Sequence, residues 1–136
     1  MPVRKQSIVV TGKRKTAIAR AVVRLGSGII RVNQTPIELY TPEIARSKIL
    51  EPLLLAGDMR KQVDIDVTVK GSGFMGQAEA VRMSVARGLN DWFKSARLKR
   101  LMTDYDRTML AGDSRRKEAK MAGGWGARKR RQKSYR

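Results

Sequence analysis

The sequence predicts an α+β fold, a two-layer sandwich in which a four-stranded sheet carries two main helices on one face. The segment QVDIDVTVKG alternates apolar and polar residues, which is typical of a strand with one buried and one solvated face. Residues 74–96 instead place apolar side chains three or four positions apart, the spacing of one helix face. A sheet solvated on one face is covered on the other, so both helices are expected on the same side.

The segment IVVTGKRKTAIARAVVRLGSGIIRVN predicts two or three strands of a small meander. Gly12 and residues 26–28 are predicted to supply turns, because glycine reaches positive φ without steric cost. Alternation places five apolar residues on one face: Ala17, Ala19, Ala21, Val23 and Leu25.

The first helix is predicted within residues 41–57, with Thr41 as N-cap, Pro42 at the first helical position and Gly57 at its end. Pro52 is expected to kink or split this helix. Its apolar residues are Ile44, Ile49, Leu53 and Leu54.

The second helix, residues 74–96, carries an apolar stripe: Phe74, Ala78, Val81, Val85, Leu89, Trp92 and Ala96. Small side chains beside the stripe (Ala80, Ser84 and Gly88) would let the helix lie close to the sheet. Six cations fall largely off the stripe, toward solvent or a ligand: Arg82, Arg87, Lys94, Arg97, Lys99 and Arg100.

The net charge of +18 is concentrated at the two ends of the chain. Residues 1–24 carry +7 and residues 107–136 carry +9, whereas residues 25–106 carry only +2. This distribution indicates a polyanionic partner. We therefore divide the chain into a globular domain of residues 1–106 and an extended basic tail of residues 107–136, which cannot bury enough apolar surface to order itself.

The residue types present argue against catalysis. The chain has no cysteine and no histidine, which leaves two pairs of carboxylates as candidates for acid–base chemistry: Asp64 with Asp66, and Asp104 with Asp106. The first pair lies on the solvated face of a strand, where salt bridging or solvation is usual, and the second is typical of turns and caps. We expect no enzyme, cofactor or metal. The lack of cysteine, of a membrane-spanning run and of a signal peptide predicts a cytoplasmic protein.

Two stretches resemble phosphate-binding loops. GSGFMGQ, residues 71–77, matches G-x-G-x-x-G, but no acidic residue ends a second parallel strand about 20 residues on. A tight strand-to-helix turn is favoured instead, one that would let a phosphodiester approach the helix N-terminus. GKRKT, residues 12–16, lacks the first glycine of a P-loop and lies between strands. It is interpreted as a basic hairpin tip that inserts into a polyanion; the alternative is a turn that is merely solvated.

Trp125 is unusual because it lies among glycines in the basic tail, in AGGWGARK. An aromatic ring flanked by cations stacks well on an unpaired base. The alternative is a ring that packs back on the domain, and the sequence leaves both interpretations open.

Four segments together carry a resemblance to a known family: GKRKTAIARAVVR, IRVNQTPIE, GSGFMGQAEAVRMSVARGL and DSRRKEAKMAGGWGARKRRQKSYR. Over essentially its whole length the chain resembles the universal small-subunit ribosomal protein family S9. The ending QKSYR is similar to that of archaeal and eukaryotic members, whereas GGWGARKRR departs from the usual sequence before the tail.

The resemblance implies an α+β domain with a left-handed βαβ element, seated on ribosomal RNA in the head of the small subunit beside other head proteins, without obligate homo-oligomerisation. It also implies that the tail reaches the peptidyl-site tRNA through Lys133, Ser134, Tyr135 and Arg136. Contacts to ribosomal RNA are expected from twenty basic residues: Arg4, Lys5, Lys13, Arg14, Lys15, Arg20, Arg82, Arg87, Arg97, Lys99, Arg100, Arg107, Arg115, Arg116, Lys117, Lys120, Arg128, Lys129, Arg130 and Arg131.

Two other classes of protein compete with this interpretation, and the stronger of them, DNA-compacting architectural proteins, is also small, basic and free of cysteine. A DNA-compacting architectural protein would present a repeated or symmetric DNA-binding face, and no such repeat is found in the sequence. A nuclear-targeted protein would use KRR as an import signal.

Overall fold

A computed structural model describes residues 7–135, which form a mixed five-stranded sheet with helices on one side. In chain order the elements are β1 (Ile8–Arg14), β2 (Ala17–Leu25), β3 (Ile30–Val32), β4 (Thr35–Pro36), α1 (Glu43–Ala56), β5 (Val63–Lys70), α2 (Phe74–Phe93), α3 (Ala96–Tyr105) and α4 (Thr108–Ala111). Short 3₁₀ segments, Ile37–Leu39 and Gly57–Gln62, flank α1. The predicted α+β class is confirmed.

The strands follow the order β1-β2-β5-β3-β4. All neighbours are antiparallel except β3 and β5, which run parallel and are connected through α1. This connection is a βαβ element, as the family resemblance implied; its left hand stays a prediction.

The sheet has five strands where the sequence predicted four, because a short hairpin joins β3 to β4. Its turn residues, Asn33 and Gln34, have φ of 49° and 69°, a conformation usually signalled by a glycine that this turn lacks. The Asn33 side chain accepts from the backbone N–H of Val69 at 2.9 Å and donates to its carbonyl at 3.3 Å. The amide thus extends the pairing of β3 with β5 by one residue.

Gly12 lies inside β1, opposite Ala19, so the prediction that it supplies a turn is wrong. The chain turns instead at Lys15 and Thr16. A Cβ atom on Gly12 would lie 2.3 Å from the Ala80 carbonyl oxygen and 2.7 Å from the Ser84 nitrogen, both in the backbone of α2. The glycine is needed because α2 crosses the strand in direct backbone contact.

The close approach of α2 to the sheet, which its small residues predicted, is confirmed. Besides the contact at Gly12, a Cβ on Gly88 would lie 2.8 Å from a methyl group of Val23. The facing surface of β2 is equally small, since its buried residues begin with three alanines: Ala17, Ala19, Ala21 and Val23. Leu25, expected on the same face, ends the strand and is 76% exposed.

The second helix ends at Phe93, earlier than predicted, because Lys94 adopts a left-handed conformation with φ of 51°. The Ser95 hydroxyl then caps a separate helix, α3, by accepting from the Leu98 N–H at 3.3 Å. The middle of the predicted stripe is buried, but its two ends, Phe74 and Ala96, are exposed.

The start of α1 also differs from the prediction. Pro42, with φ of −74° and ψ of 163°, occupies the N-cap position and Glu43 is the first helical residue, so Thr41 is not the cap. The helix is not split at Pro52, whose ring is buried in the core, and it ends at Gly57 as predicted.

Only two of the four apolar residues predicted for α1 lie on its buried face. Ile49 and Leu53 are fully buried, whereas Ile44 and Leu54 are 63% and 72% exposed. The face that packs inward consists of Ala45, Ile49, Pro52, Leu53 and Ala56, which share one side of the helix.

We expect Gly12→Ala to lower the free energy of unfolding by about 2 kcal/mol, because its methyl group would force α2 away from β1. Urea denaturation measures this change. Gly126→Ala is the matched control, since nothing lies within 4 Å of a Cβ at that position. An unchanged midpoint for Gly12→Ala would show that α2 does not approach β1 as described.

Candidate nucleic-acid interface

The tail begins with an ionic contact to β1. The Arg14 side chain, on the helix side of the sheet, pairs with Glu79 of α2 and with Asp113. A parallel backbone bridge joins Arg14 to Asp113, and the guanidinium also donates to the Arg115 carbonyl at 3.4 Å. We call these residues, Arg14, Glu79 and Asp113, the root clamp. The root clamp fixes where the tail leaves the body. It also engages most of the N–H donors of Arg14, which the sequence predicted to bind RNA.

Asp113 is held from the tail side as well. Arg115 donates to both of its carboxylate oxygens, with Nε and Nη2 contacts between 2.7 and 3.1 Å. These hydrogen bonds lower the pKa of Asp113 well below its ordinary value, with further contributions from the Arg115 backbone N–H and the charge of Arg14. Asp113 is therefore ionised at any pH near neutrality.

Arg82 faces the interior, so the expectation that it points to solvent or a ligand is wrong. It is 5% exposed. Its guanidinium pairs with Glu51 of α1 and with Asp106 at 3.0 Å, and it reaches the Thr108 hydroxyl at 3.4 Å. The residue lies off the apolar stripe as predicted, but that side of α2 meets α1 and α4 rather than water.

The charges of this buried cluster stabilise one another. Burial lowers the pKa of Arg82, but the hydrogen bond and charge of Glu51, with those of Asp106, outweigh burial and raise it. Burial likewise raises the pKa of Asp106, but hydrogen bonds from Thr108 and the Arg82 charge leave it below its ordinary value. Asp106 also accepts from the Thr108 N–H at 2.9 Å, a side-chain turn of the kind predicted for this segment.

Arg87 is half-buried and joins three parts of the body. Its Nε donates to the Leu110 carbonyl at 2.8 Å and its Nη1 to the Thr11 carbonyl at 3.2 Å. It therefore holds α4 and β1 to α2. Met109 of α4 is fully buried, so the packed body continues past residue 106, where the sequence placed the start of the tail.

The paired carboxylates of β5 have structural partners. Asp64 accepts from the backbone N–H groups of residues 27–29 at 2.9, 3.0 and 2.9 Å. The bond from Ile29 makes the largest contribution to lowering the pKa of Asp64. Asp66 pairs with Arg24, which is the salt bridging expected on this face.

Exposed cations occupy the other end of the solvated sheet face. Strand register places Lys13, Ile18 and Lys70 in one row across β1, β2 and β5, and Thr11, Arg20 and Thr68 in the next. Lys13, Arg20 and Lys70 are exposed. Sequence reasoning did not select Lys70, although the alternation of β5 placed it on the solvated face.

The N-terminus of α2 lies beside this cationic end. GSG, residues 71–73, forms the predicted tight turn, and a Cβ on Gly71 would lie 2.4 Å from the Thr16 carbonyl oxygen at the β1–β2 turn. No side chain caps the helix at Gly73. The uncapped helix end and the basic hairpin tip, Lys13 and Lys15, thus form one positively polarised region.

The outer side of α3 is a further basic surface, besides the cationic end of the sheet and the hairpin tip. Leu98 and Met102 face the core, whereas the basic residues between and beside them are exposed: Arg97, Lys99, Arg100 and Arg107.

The tail is locally organised beyond the root clamp. Arg128 forks onto Glu118 with contacts of 3.0 and 3.1 Å, and an antiparallel bridge joins Gly124 to Arg130. We call residues 118–131 the tail turn. Beyond it Lys133, Ser134 and Tyr135 are exposed. Arg4, Lys5 and Arg136 lie outside the described residues.

The Trp125 ring does not pack on the domain. The residue is 68% exposed, and the Arg131 guanidinium carbon lies 5.3 Å from the centroid of its ring. Of the two interpretations left open by the sequence, the structure excludes the one in which the domain buries the ring.

Comparison with known proteins identifies the family. The family model described as "Ribosomal protein S9/S16" matches residues 12–136. The chain belongs to this family. The resemblance carried by the four sequence segments is therefore confirmed, and the chain is placed among ribosomal proteins. No helix formed by residues 7–135 has the length and apolar composition needed to cross a membrane.

Similar proteins cover nearly the whole chain of this S9/S16 family member. "Small ribosomal subunit protein uS9" of Desulfurococcus amylolyticus is 54% identical over 129 residues, which are 95% of this chain and 92% of that protein. The protein of the same name from Thermoplasma volcanium is 52% identical over 95% of this chain and 98% of its own length. That of Pyrobaculum aerophilum is 53% identical over 95% and 91%.

We expect Arg82→Met to lower the free energy of unfolding by on the order of 3 kcal/mol, because it leaves Glu51 and Asp106 without their buried cation. Chemical denaturation measures the loss. The salt dependence of heparin binding should stay unchanged, since Arg82 does not reach the surface.

Arg24→Met is the matched control for this change, because it breaks an exposed ion pair and should alter stability by less than about 1 kcal/mol. Equal losses in the two variants, or a weaker salt dependence for Arg82→Met, would contradict the interior role.

Proposed function

We propose that the chain is a structural component of the small ribosomal subunit in the cytoplasm, that it binds ribosomal RNA in the subunit head beside other head proteins, and that its tail contacts peptidyl-site tRNA. The names of its relatives, which are small ribosomal subunit proteins, support the first part. The arrangement of its cations supports the second. The family resemblance supports the third.

The main support for RNA binding is that the structure separates the basic residues into two groups. One group is engaged inside the fold, and the other faces solvent. Arg14, Arg82 and Arg87 are engaged inside the fold, and we remove them from the proposed RNA ligands. Thirteen of the twenty stay exposed and have no acidic partner among residues 7–135: Lys13, Lys15, Arg20, Arg97, Lys99, Arg100, Arg107, Arg116, Lys117, Lys120, Lys129, Arg130 and Arg131. We add Lys70 to this set.

These outward cations suit a polyanion rather than a small anionic ligand. They are spread over the hairpin tip, the outer side of α3 and the tail, which no small ligand would span. Each phosphate contact releases counterions condensed on the nucleic acid, so many separate contacts add affinity without a formed pocket. The uncapped N-terminus of α2 supplies a further place for a phosphate beside the hairpin tip.

Arg115 and Arg128 form an intermediate group. Each is paired with one acid, Asp113 or Glu118, but their side chains are 82% and 85% exposed. An exposed ion pair is screened by water and salt, so phosphates compete with the carboxylates effectively. We keep both as proposed ligands.

The proposed tRNA contacts lie beyond the tail turn. Six residues, 131–136, span at most about 20 Å when extended. The tail turn therefore has to sit within that distance of the tRNA, held there by ribosomal RNA on its basic flanks.

We expect the double variant Lys13→Gln/Lys15→Gln to reduce the salt dependence of RNA binding by about two phosphate contacts, because both side chains are proposed to neutralise phosphates. Binding of a ribosomal RNA fragment is measured as salt is varied, in competition with duplex DNA.

Lys48→Gln/Lys61→Gln is the matched control for the double variant. It removes the same charge from lysines that pair with Glu51 and Asp58. An equal effect in both variants would show that only total charge matters. Equal affinity for structured RNA and duplex DNA would favour an architectural DNA-binding protein.

Deletion of residues 134–136 should leave folding and incorporation into small subunits intact but weaken tRNA retention in the peptidyl site roughly tenfold, through loss of charge-assisted hydrogen bonds. Filter binding of tRNA to purified subunits measures this effect. Lys117→Gln removes the same single cation upstream and should leave tRNA binding unchanged. Unaltered tRNA retention in the deletion variant would contradict the proposed contact.

A further inference from the structure

The tail turn has a defined backbone although it lies outside the packed body. The Trp125 N–H donates to the Lys129 carbonyl at 3.0 Å, and the Met121 N–H to the Gly126 carbonyl at 3.4 Å. The fork of Arg128 on Glu118 joins the two sides of the turn. These contacts hold residue 125 at the outer end of the turn.

Two glycines make this geometry possible. Gly123 has φ of +76°, a conformation that side chains disfavour. Gly124 is buried by the turn itself, and a Cβ there would lie 2.6 Å from the Lys129 carbonyl oxygen. Any larger residue at position 124 would open the turn and move the ring beside it.

The turn presents an indole ring to solvent in a strongly cationic setting. Trp125 is 68% exposed, and the Arg131 guanidinium lies over its ring at 5.3 Å. Lys129 and Arg130, next to it in space, are exposed as well. A planar π surface, a planar cation and nearby phosphate-binding groups are what a stacked nucleotide requires.

We propose that Trp125 and Arg131 form a stacking site for one unpaired base of ribosomal RNA, with Lys129 and Arg130 neutralising the adjoining phosphates. This rests on the proposed function and names a ligand for the tail turn. An apolar protein pocket is the weaker occupant, because burying the ring there would also bury the guanidinium that covers it, without a counter-charge.

Binding of the full-length chain to two RNA probes tests the site. One probe is a hairpin with an unpaired adenine loop, and the other is a fully paired RNA duplex with the same number of phosphates. Trp125→Leu keeps an apolar side chain but removes the π face, so affinity for the looped hairpin should fall about 5- to 150-fold. Affinity for the duplex should change little, and Trp125→Phe should retain most of the binding to the loop.

Fluorescence gives a second readout. In a Trp92→Phe background the emission comes from Trp125 alone, and the looped hairpin should quench it more than the duplex does. If Trp92→Phe unfolds the chain, the affinity comparison in the parent background still decides.

Wild-type affinity of Trp125→Leu for the looped hairpin, or an equal loss on both probes, would overturn the stacking site. Unchanged affinity together with poor incorporation into subunits would assign the ring to a protein neighbour. In either case duplex binding by the parent chain that depends on Lys13 and Lys15 would leave the proposed RNA-binding function in place.

Discussion

The backbone contact between α2 and β1 is the constraint on which the rest of the structure depends. At Gly12 the strand and the helix approach so closely that a single methyl group would collide with the helix backbone. The alanines of β2 continue this flat surface, so α2 lies along both strands of the hairpin. The position of α2 in turn fixes Glu79, which holds Arg14, and Arg87, which holds α4. Through these contacts, packing of small residues determines where the tail leaves the body.

The same arrangement explains how a chain with a charge of +18 keeps a packed interior. Several of its acids are directed inward, where Glu51 and Asp106 hold Arg82, and Glu79 and Asp113 hold Arg14. The interior cations are arginines, whose planar fork reaches two partners at once. Acids used in this way are not available to neutralise the surface. The surface consequently has a larger excess of cations over acids than the whole sequence has, and this excess favours a polyanionic partner.

The sequence predicted those features that follow from local periodicity. Alternation in β5 identified Val63, Val67 and Val69 as buried, and they are. The small residues of α2 predicted its close approach to the sheet. The β3–β4 hairpin was not predicted, because Asn33 and Gln34 adopt positive φ without the glycine that marks such turns.

Features that depend on contacts distant in sequence were not predictable. Gly12 looks like a turn residue until the helix that crosses it, more than sixty positions later, is placed. Arg82 looks like a surface cation until Glu51 of α1 and Asp106, in the link between α3 and α4, are brought to it. Arg82 lies off the apolar stripe of α2, as an exposed arginine would. A count of cations therefore overestimates the candidate interface, and only the fold separates internal arginines from outward ones.

The tail is neither a packed part of the body nor a featureless coil. Fixing one residue of a free coil costs about 1–2 kcal/mol of backbone entropy, so a long basic tail that binds in a single conformation loses much of its electrostatic gain. The root clamp and the tail turn fix parts of this segment in advance through ion pairs within the chain. The pairs made by Arg115 and Arg128 have exposed cations that can exchange carboxylates for phosphates, so they guide the tail without preventing its binding. What remains to be ordered by a partner is short: the links on either side of the turn and the last few residues.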